Sequence, residues 1–184
     1  MNKKGFTLIE LLVVIGIIGL LASIVLSSLD GARKKGRDAR RISDVKQIQL
    51  ALELYYDANS AFPTSISSAD TCGAASCAVT NLVTPGYISV VPRDPSNDHN
   101  YAYTPLAAAS NGTPCISYHL GTSLETAGHP VFQTDADATA STLICLGGPA
   151  ADFNGTDATT GNSRCINGSA ANADYGIECY DVKP

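Results

Sequence analysis

The apolar positions of this chain fall into two patterns, one following the other. From Phe6 to Leu29, a stretch of 24 residues, Glu10 is the only ionisable side chain. A helix that is apolar all round needs lipid or a protein core around it. At 1.5 Å per residue this stretch reaches about 36 Å, enough to span a hydrocarbon layer of roughly 30 Å. From Asp30 the pattern becomes one-sided. Ile42, Val45, Ile48, Leu52 and Tyr55 recur at steps of three or four. At 100° per residue they cover an arc of about 140°, the stripe of a helix lying on a core. No proline occurs before Pro63. The pattern therefore predicts one helix from about Phe6 to Asp57, roughly 78 Å long at ideal rise. Gly16, Gly19, Gly31 and Gly36 are the points where it is cheapest to bend.

"DANSAFPTS" ends the helix by turn chemistry, with Asp, Asn and Ser before Pro63. The segment through about Leu82 reads as a loop with a short helix. "YAYT" at Tyr101–Thr104 and "CISYHL" at Cys115–Leu120 have the aromatic and β-branched content of short strands, with the hairpin-type turn Asn111-Gly112 between them. "STLICL" near Cys145 and "GIECY" near Cys179 are further strand candidates. The fold class expected is α+β: a long N-terminal helix whose second half packs on a small antiparallel sheet. The organisation expected is a short leader (1–5), an apolar helix (6–29), its amphipathic continuation (30–57) and a globular domain (58–184).

Charge divides the chain the same way. Through Lys46 there are nine Lys/Arg against four Asp/Glu, a net of +5, whereas from Gln47 onward three face thirteen, a net of -10. An acidic domain lacks the clustered cations that phosphate contacts need, so no nucleic-acid partner is expected. The run "RKKGRDARR" reads most simply as a solvated helix face, with contact to anionic lipid headgroups as a second reading. A count of flanking charge alone would put the C-terminal domain in the cytoplasm. The cysteines argue for the opposite orientation. Cys72, Cys77, Cys115, Cys145, Cys165 and Cys179 all follow the apolar segment. An even number of cysteines suits disulfides in an oxidising compartment, with fifteen pairings open.

Catalytic signatures are lacking. No G-x-S-x-G, H-E-x-x-H or phosphate-binding glycine loop is present, and His119, within a strand candidate, reads as a structural histidine. No enzyme is expected, and no cofactor other than a calcium ion. Calcium is suggested by "TDADAT" with Asp135 and Asp137, and by "DFNGTD" with Asp152, Asn154 and Asp157, since hard oxygen ligands in loops suit that ion. Neither stretch has EF-hand spacing. Asn111, Asn154 and Asn167 each head an N-G-[ST] triplet, readable as a glycan acceptor or as a tight turn.

Three readings compete for the apolar segment. A cleaved secretory signal is usually shorter and lacks an acidic residue near its start. A plain single-pass anchor explains the length and leaves Glu10 without a role, although an ionisable residue in a membrane segment is a functional hypothesis by default. The third reading rests on "KKG" followed by "FTLIE", which resembles the processing signal of type IV prepilins and the pseudopilins of type II secretion. "LALELYYDANSAFPT", "GYISVVPRDP", "YAY" and "YHLGTSLE" extend the resemblance to about Glu125; beyond it the chain is longer and richer in cysteine.

The resemblance implies cleavage after Gly5, methylation of the new N-terminal Phe6, and a role for Glu10 in subunit assembly. It implies a structural subunit of a type IV pilus or a type II secretion pseudopilus, polymerised into a helical filament. Identical subunits, minor pilins, a prepilin peptidase, and a membrane platform with its cytoplasmic ATPase would be its partners. The precursor would cross the cytoplasmic membrane once, with its C-terminal domain outside, before entering a periplasmic or extracellular filament. It also raises the expectation of calcium in the C-terminal part. A reading from another class is a monomeric membrane-anchored binding module, a receptor or adhesin, that uses the same leader.

Overall fold

The structure is a computed structural model. It describes residues 7–66, 82–83, 85–96, 101–137, 139–149, 152–153, 165 and 178–184. One helix, α1 (Leu8–Asn59, 52 residues), is continuous through all four glycines. It begins and ends two residues later than the sequence pattern predicts. The chain divides into two compact units, Met1–Gly36 and Arg37–Pro184.

In the first unit α1 is the dominant element, and its apolar side chains are uncovered. Leu8, Ile9, Leu20, Ile24 and Leu26 are among many that stay exposed. By length and composition the helix is sufficient to cross a membrane. Neither helix propensity nor a protein core explains a surface of this kind; it calls for lipid or other apolar helices as its surroundings.

In the second unit the one-sided stripe faces a core. Val45, Ile48, Ala51 and Leu52 are buried, and Ile42 and Tyr55 pack against them in part. The helix stops at Ser60, which takes a positive φ of 55°. Its N–H donates to the Tyr56 carbonyl at 2.7 Å, an αL cap made without glycine. Three antiparallel strands lie in the order β1 (Ala102–Leu106), β2 (Ser117–Leu124), β3 (Glu178–Val182). Tyr103 is opposite Leu120, and Leu120 is opposite Val182.

Strand alternation sends two side-chain sets to opposite faces of the sheet. Tyr103, Tyr118, Leu120, Leu124 and Tyr180 join the helix residues in the main core. Aromatic edges lock this layer. Phe62, just past the helix, meets Tyr118 at 4.8 Å between ring centres, and the Tyr103 hydroxyl donates to the Pro63 carbonyl at 2.7 Å. The other face carries Ala102 and Cys179, which form a second small core with Phe153 and Cys165. Both faces are therefore buried, and β1 and β2 read as nearly continuous buried runs.

One strand expectation changes. "STLICL" is no strand. Ile144 and Cys145 make only isolated bridges, to Leu106 and Gly112, in a segment that crosses the hairpin end and is fastened there by a disulfide. The segment expected to hold a loop and a short helix lies mostly outside the described residues. Asn111 takes a positive φ of 53°, but the connection from Leu106 of β1 to Ser117 of β2 is a longer loop that the segment at Ile144 and Cys145 bridges, not the two-residue hairpin that Asn-Gly predicts.

Candidate functional site

Glu10 lies in the first turn of α1. Thr7 precedes the helix, and its backbone N–H and its hydroxyl both donate to Glu10 Oε2 at 2.8 Å. The Glu10 N–H returns a bond to the Thr7 hydroxyl at 3.3 Å. This is a reciprocal capping box, in which threonine and the glutamate three residues on satisfy each other's end of the helix. The signal was present in the sequence as T-L-I-E, a threonine three residues before a glutamate at the head of an apolar run. The carboxylate also sits at the helix N-terminus, where the backbone dipole favours negative charge. Gly5 and Phe6 lie outside the described residues.

The acidic half of the chain holds a buried charge centre behind the sheet. The His119 ring lies between two carboxylates, Nδ1 at 3.1 Å from both oxygens of Asp152 and Nε2 at 2.7 Å from Asp181 Oδ2. It stacks on Phe153 at 3.8 Å. All three charged side chains are fully buried. Asp152 also accepts from the backbone N–H of Ser141 at 2.8 Å and of Phe153 at 2.9 Å. Burial by itself would lower the His119 pKa, but the bonds to Asp152 and Asp181 outweigh it and hold the pKa above the ordinary histidine value. Burial likewise opposes ionisation of Asp152, yet His119 and the Ser141 amide hold its pKa below the usual range. A ring with a carboxylate at each nitrogen is arranged as an imidazolium donating twice. The fully buried ring joins β2 to β3 and to Asp152, which in turn holds the Ser141 amide.

Two disulfides reinforce the same region. Cys115 pairs with Cys145 and Cys165 with Cys179, at Cα separations of 5.7 and 5.3 Å. Cys72 and Cys77 lie outside the described residues. Gly121 allows the second pair its place. A Cβ at that position would stand 2.8 Å from Cys165 Sγ and 2.8 Å from Phe153 Cε2.

The basic run needs correction. Arg33, Lys34, Lys35 and Arg40 are exposed, but Arg41 is 3% exposed and Arg37 is only half-exposed. Arg41 Nε and Nη2 donate to the two oxygens of Asp94 at 2.6 and 3.1 Å. Its Nη1 donates to Asp38 at 2.8 Å and to Glu125 at 2.7 Å. Arg37 forks onto both Glu125 oxygens. Asp38, fully buried, accepts from the backbone N–H groups of Glu125 and Thr126, each at 2.9 Å. The Arg37 bond, with help from Arg41, holds Glu125 below the usual carboxylate pKa despite partial burial. Asp94 is held low by Arg41 and Ser96 against the larger opposing effect of burial. The pattern could have shown this. Asp38 and Arg41 continue the series Val45, Ile48, Leu52 backwards at the same steps of three and four, so they occupy the core arc and must be paired there.

Of the calcium candidates, Asp135, Asp137 and Asp152 lie among the described residues. Both oxygens of Asp152 are engaged by N–H donors, as above, and Asp135 and Asp137 lie in the loop after a short 3-10 turn, Pro130–Gln133. Asn154 and Asp157 lie outside the described residues. Among the described residues no group of three or more His, Cys, Asp or Glu could hold a metal ion.

A family model described as the prokaryotic N-terminal methylation motif matches residues 1–26. The type II secretion system core protein G of Vibrio cholerae is 34% identical over 121 residues, covering 61% of this chain and 76% of that protein. The protein of the same name from Escherichia coli is 34% identical over 122 residues, covering 60% and 84%. The type IV wide pilus major component PilA4 of Thermus thermophilus is 28% identical over 143 residues, covering 76% and 94%. No solved structure matches the chain.

Proposed function

This chain belongs to the family of the type II secretion system core protein G, and from that membership we propose that it is made as a membrane-anchored precursor, cut after Gly5, methylated on Phe6 and polymerised through its apolar helix. It is a structural subunit of a pilus or pseudopilus. Its work is assembly, without turnover of a substrate. Identical subunits, minor pilins, the prepilin peptidase and a membrane platform with its ATPase are the partners this role requires. The globular domain faces the periplasm or the exterior, where its disulfides persist.

The observation that carries the reading is the uncovered helix with a single carboxylate, Glu10, in its first turn. In the membrane the carboxylate has two resources. The Thr7 donors satisfy one oxygen, and its position near the interface keeps headgroups or water within reach, so its cost stays below the mid-membrane figure of roughly 2.5–3.5 kcal/mol. In a bundle of apolar helices that second resource is gone. After cleavage Phe6 bears a cationic amine, and a subunit displaced along the filament axis brings its amine to the Glu10 of a neighbour. A wrong register strands both charges. Buried pairs of this kind fix register more reliably than they add net stability. Cysteines 72 and 77 complete the disulfide set in this reading.

The test is Glu10→Gln and Glu10→Ala in cells. Mass spectrometry should show loss of Met1–Gly5 and gain of a methyl group in both variants, while electron microscopy shows no filaments. Normal filaments from both would overturn the role of Glu10. A fully processed wild-type chain that stays a membrane-bound monomer would instead support the anchored binding module.

A further inference from the structure

The fold leaves three basic residues uncovered just past the apolar part of α1. Arg33, Lys34 and Lys35 are exposed, and they belong to the same compact unit as the apolar side chains, Met1–Gly36. Arg37 and Arg41, close by in sequence, are taken up by Glu125, Asp38 and Asp94. Arg33 lies 3.7 Å from Asp30 in a pair open to solvent at both ends, which adds little to stability. Among the described residues no ion pair holds Lys34 or Lys35. A topology signal does not account for them either. With the globular domain outside the cytoplasm, cations on that side of the span run against the usual bias, so their presence there asks for a local partner.

We infer that Arg33, Lys34 and Lys35 form a collar that binds anionic lipid headgroups in the leaflet where α1 leaves the membrane, and that the collar sets the depth of the helix before assembly. The inference rests on the membrane-anchored precursor proposed above. Depth is the first observation that selects the occupant. Residues 8–29 rise about 33 Å, which fills a hydrocarbon layer of roughly 30 Å. The three basic positions follow Leu29 by four to six residues, about 6–9 Å farther along the axis. The polar layer on each side of the hydrocarbon is about 5–8 Å thick, and flexible Lys and Arg stems can place their charge within it. Direction is the second. At 100° per residue the three positions spread over about 200° of the helix surface. A single docked protein covers one face and would leave part of the set in water, whereas a headgroup layer surrounds the helix. Charge is the third. Asp30 offsets one of the three positive charges, and the excess attracts anionic lipid in preference to zwitterionic lipid.

The experiment uses the full chain reconstituted in vesicles of mixed phosphatidylcholine and phosphatidylglycerol. Spin-labelled forms of the two lipids report, through their motionally restricted fraction, which one sits beside the chain. At low salt phosphatidylglycerol should be favoured about fivefold, the ratio that one Lys or Arg supplies near an anionic surface, and raised ionic strength should erode the preference. Arg33→Gln with Lys34→Gln and Lys35→Gln should lower the ratio several-fold and leave the melting temperature unchanged, because all three side chains are exposed. Should the variant melt lower than wild type, the salt dependence of the wild-type ratio decides, and a ratio unmoved by salt counts against the collar. A wild-type chain with no preference between the two lipids, or a triple variant with the wild-type preference, would overturn the inference. A chain that does not insert into the vesicles at all removes the membrane-anchored reading and this inference with it, whereas insertion without lipid preference removes the collar alone.

Discussion

Replacing Asp38 should unfasten α1 from the end of β2. The side chain is fully buried and accepts three bonds, from the N–H groups of Glu125 and Thr126 and from Arg41. In Asp38→Ala the arginine keeps Asp94, Ser96 and Glu125, so its charge remains compensated. The two amides lose their acceptor in a place that solvent reaches poorly. An orphaned buried donor costs about 1–3 kcal/mol. Residues 125 and 126 are themselves only partly buried, which puts the sum nearer the lower half of the range, about 3 kcal/mol. For a unit of this size each kcal/mol lowers the melting temperature by about 2–4 °C, giving a fall of about 6–12 °C.

Asp38→Asn is the informative companion. Its oxygen serves one amide, but its NH₂ group faces Arg41 or the second amide donor to donor, so the loss should approach that of alanine. Chemical denaturation of the processed chain in mild detergent, followed by circular dichroism, measures both. If Asp38→Ala stays within about 1 kcal/mol of wild type, water or rearrangement supplies the missing acceptors, and Asp38 is not the fastening described above.

Stability should also follow pH on two limbs. The raised His119 pKa contributes stability that is fully present below about pH 6.5 and is lost as the pH climbs through the raised value, whereas the lowered Asp152, Asp94 and Glu125 contribute stability present above about pH 4 and lost in acid. His119→Gln should abolish the alkaline limb in a pH series of melts; an unchanged alkaline slope would refute the assignment. Peptide mapping of unreduced protein should recover Cys115–Cys145 and Cys165–Cys179, and thiol counting on the denatured chain should find none free. Serine at either pair should cost about 2–4 kcal/mol, and a variant as stable as wild type would show the bridge to be idle. Gly121→Ala should cost about 1–3 kcal/mol by overpacking against Phe153 and the second disulfide, read as a lower denaturation midpoint, and a neutral effect would mean that this corner yields freely.

The helix was legible because two periodicities coincide with two environments. An all-apolar run and a one-sided stripe are each set by their own surroundings, and the chain needs no long-range pairing to display them. β1 and β2 were legible for the same local reason. The third strand candidate, at Cys145, failed because it meets β1 only at that strand's last residues and then turns onto Gly112, so no ladder extends. Only Leu106 and Gly112 bridge to it, and the disulfide to Cys115 holds the segment across the hairpin without a ladder. The His119 centre was out of reach because it joins residues 33 and 62 positions apart in the chain. Nothing local distinguishes such a histidine from an exposed one.

The basic run is the case where a pattern was present and a composition argument obscured it. Counted together, Arg33 to Arg41 are a cationic stretch next to an apolar segment. Counted by helical phase, they separate. Arg37, Asp38 and Arg41 turn inward and exchange charge with Asp94 and Glu125, and Arg33, Lys34, Lys35 and Arg40 remain outside. Two positive and three negative side chains in the inward group leave it slightly acidic, so the basic character of the run belongs to the outward residues alone. Charge neutralisation at Arg41 should therefore act through the fold, and neutralisation at Lys34 and Lys35 through whatever surface lies against those exposed side chains. The two effects separate in an experiment. Arg41→Met should shift the denaturation midpoint strongly and independently of ionic strength, since a buried pair is little screened. Lys34→Gln with Lys35→Gln should leave the midpoint unchanged and alter only salt-sensitive association, because exposed charges contribute about 0–1 kcal/mol each and lose it to screening. A salt-sensitive midpoint in the Arg41 variant would place that residue back among the solvated ones.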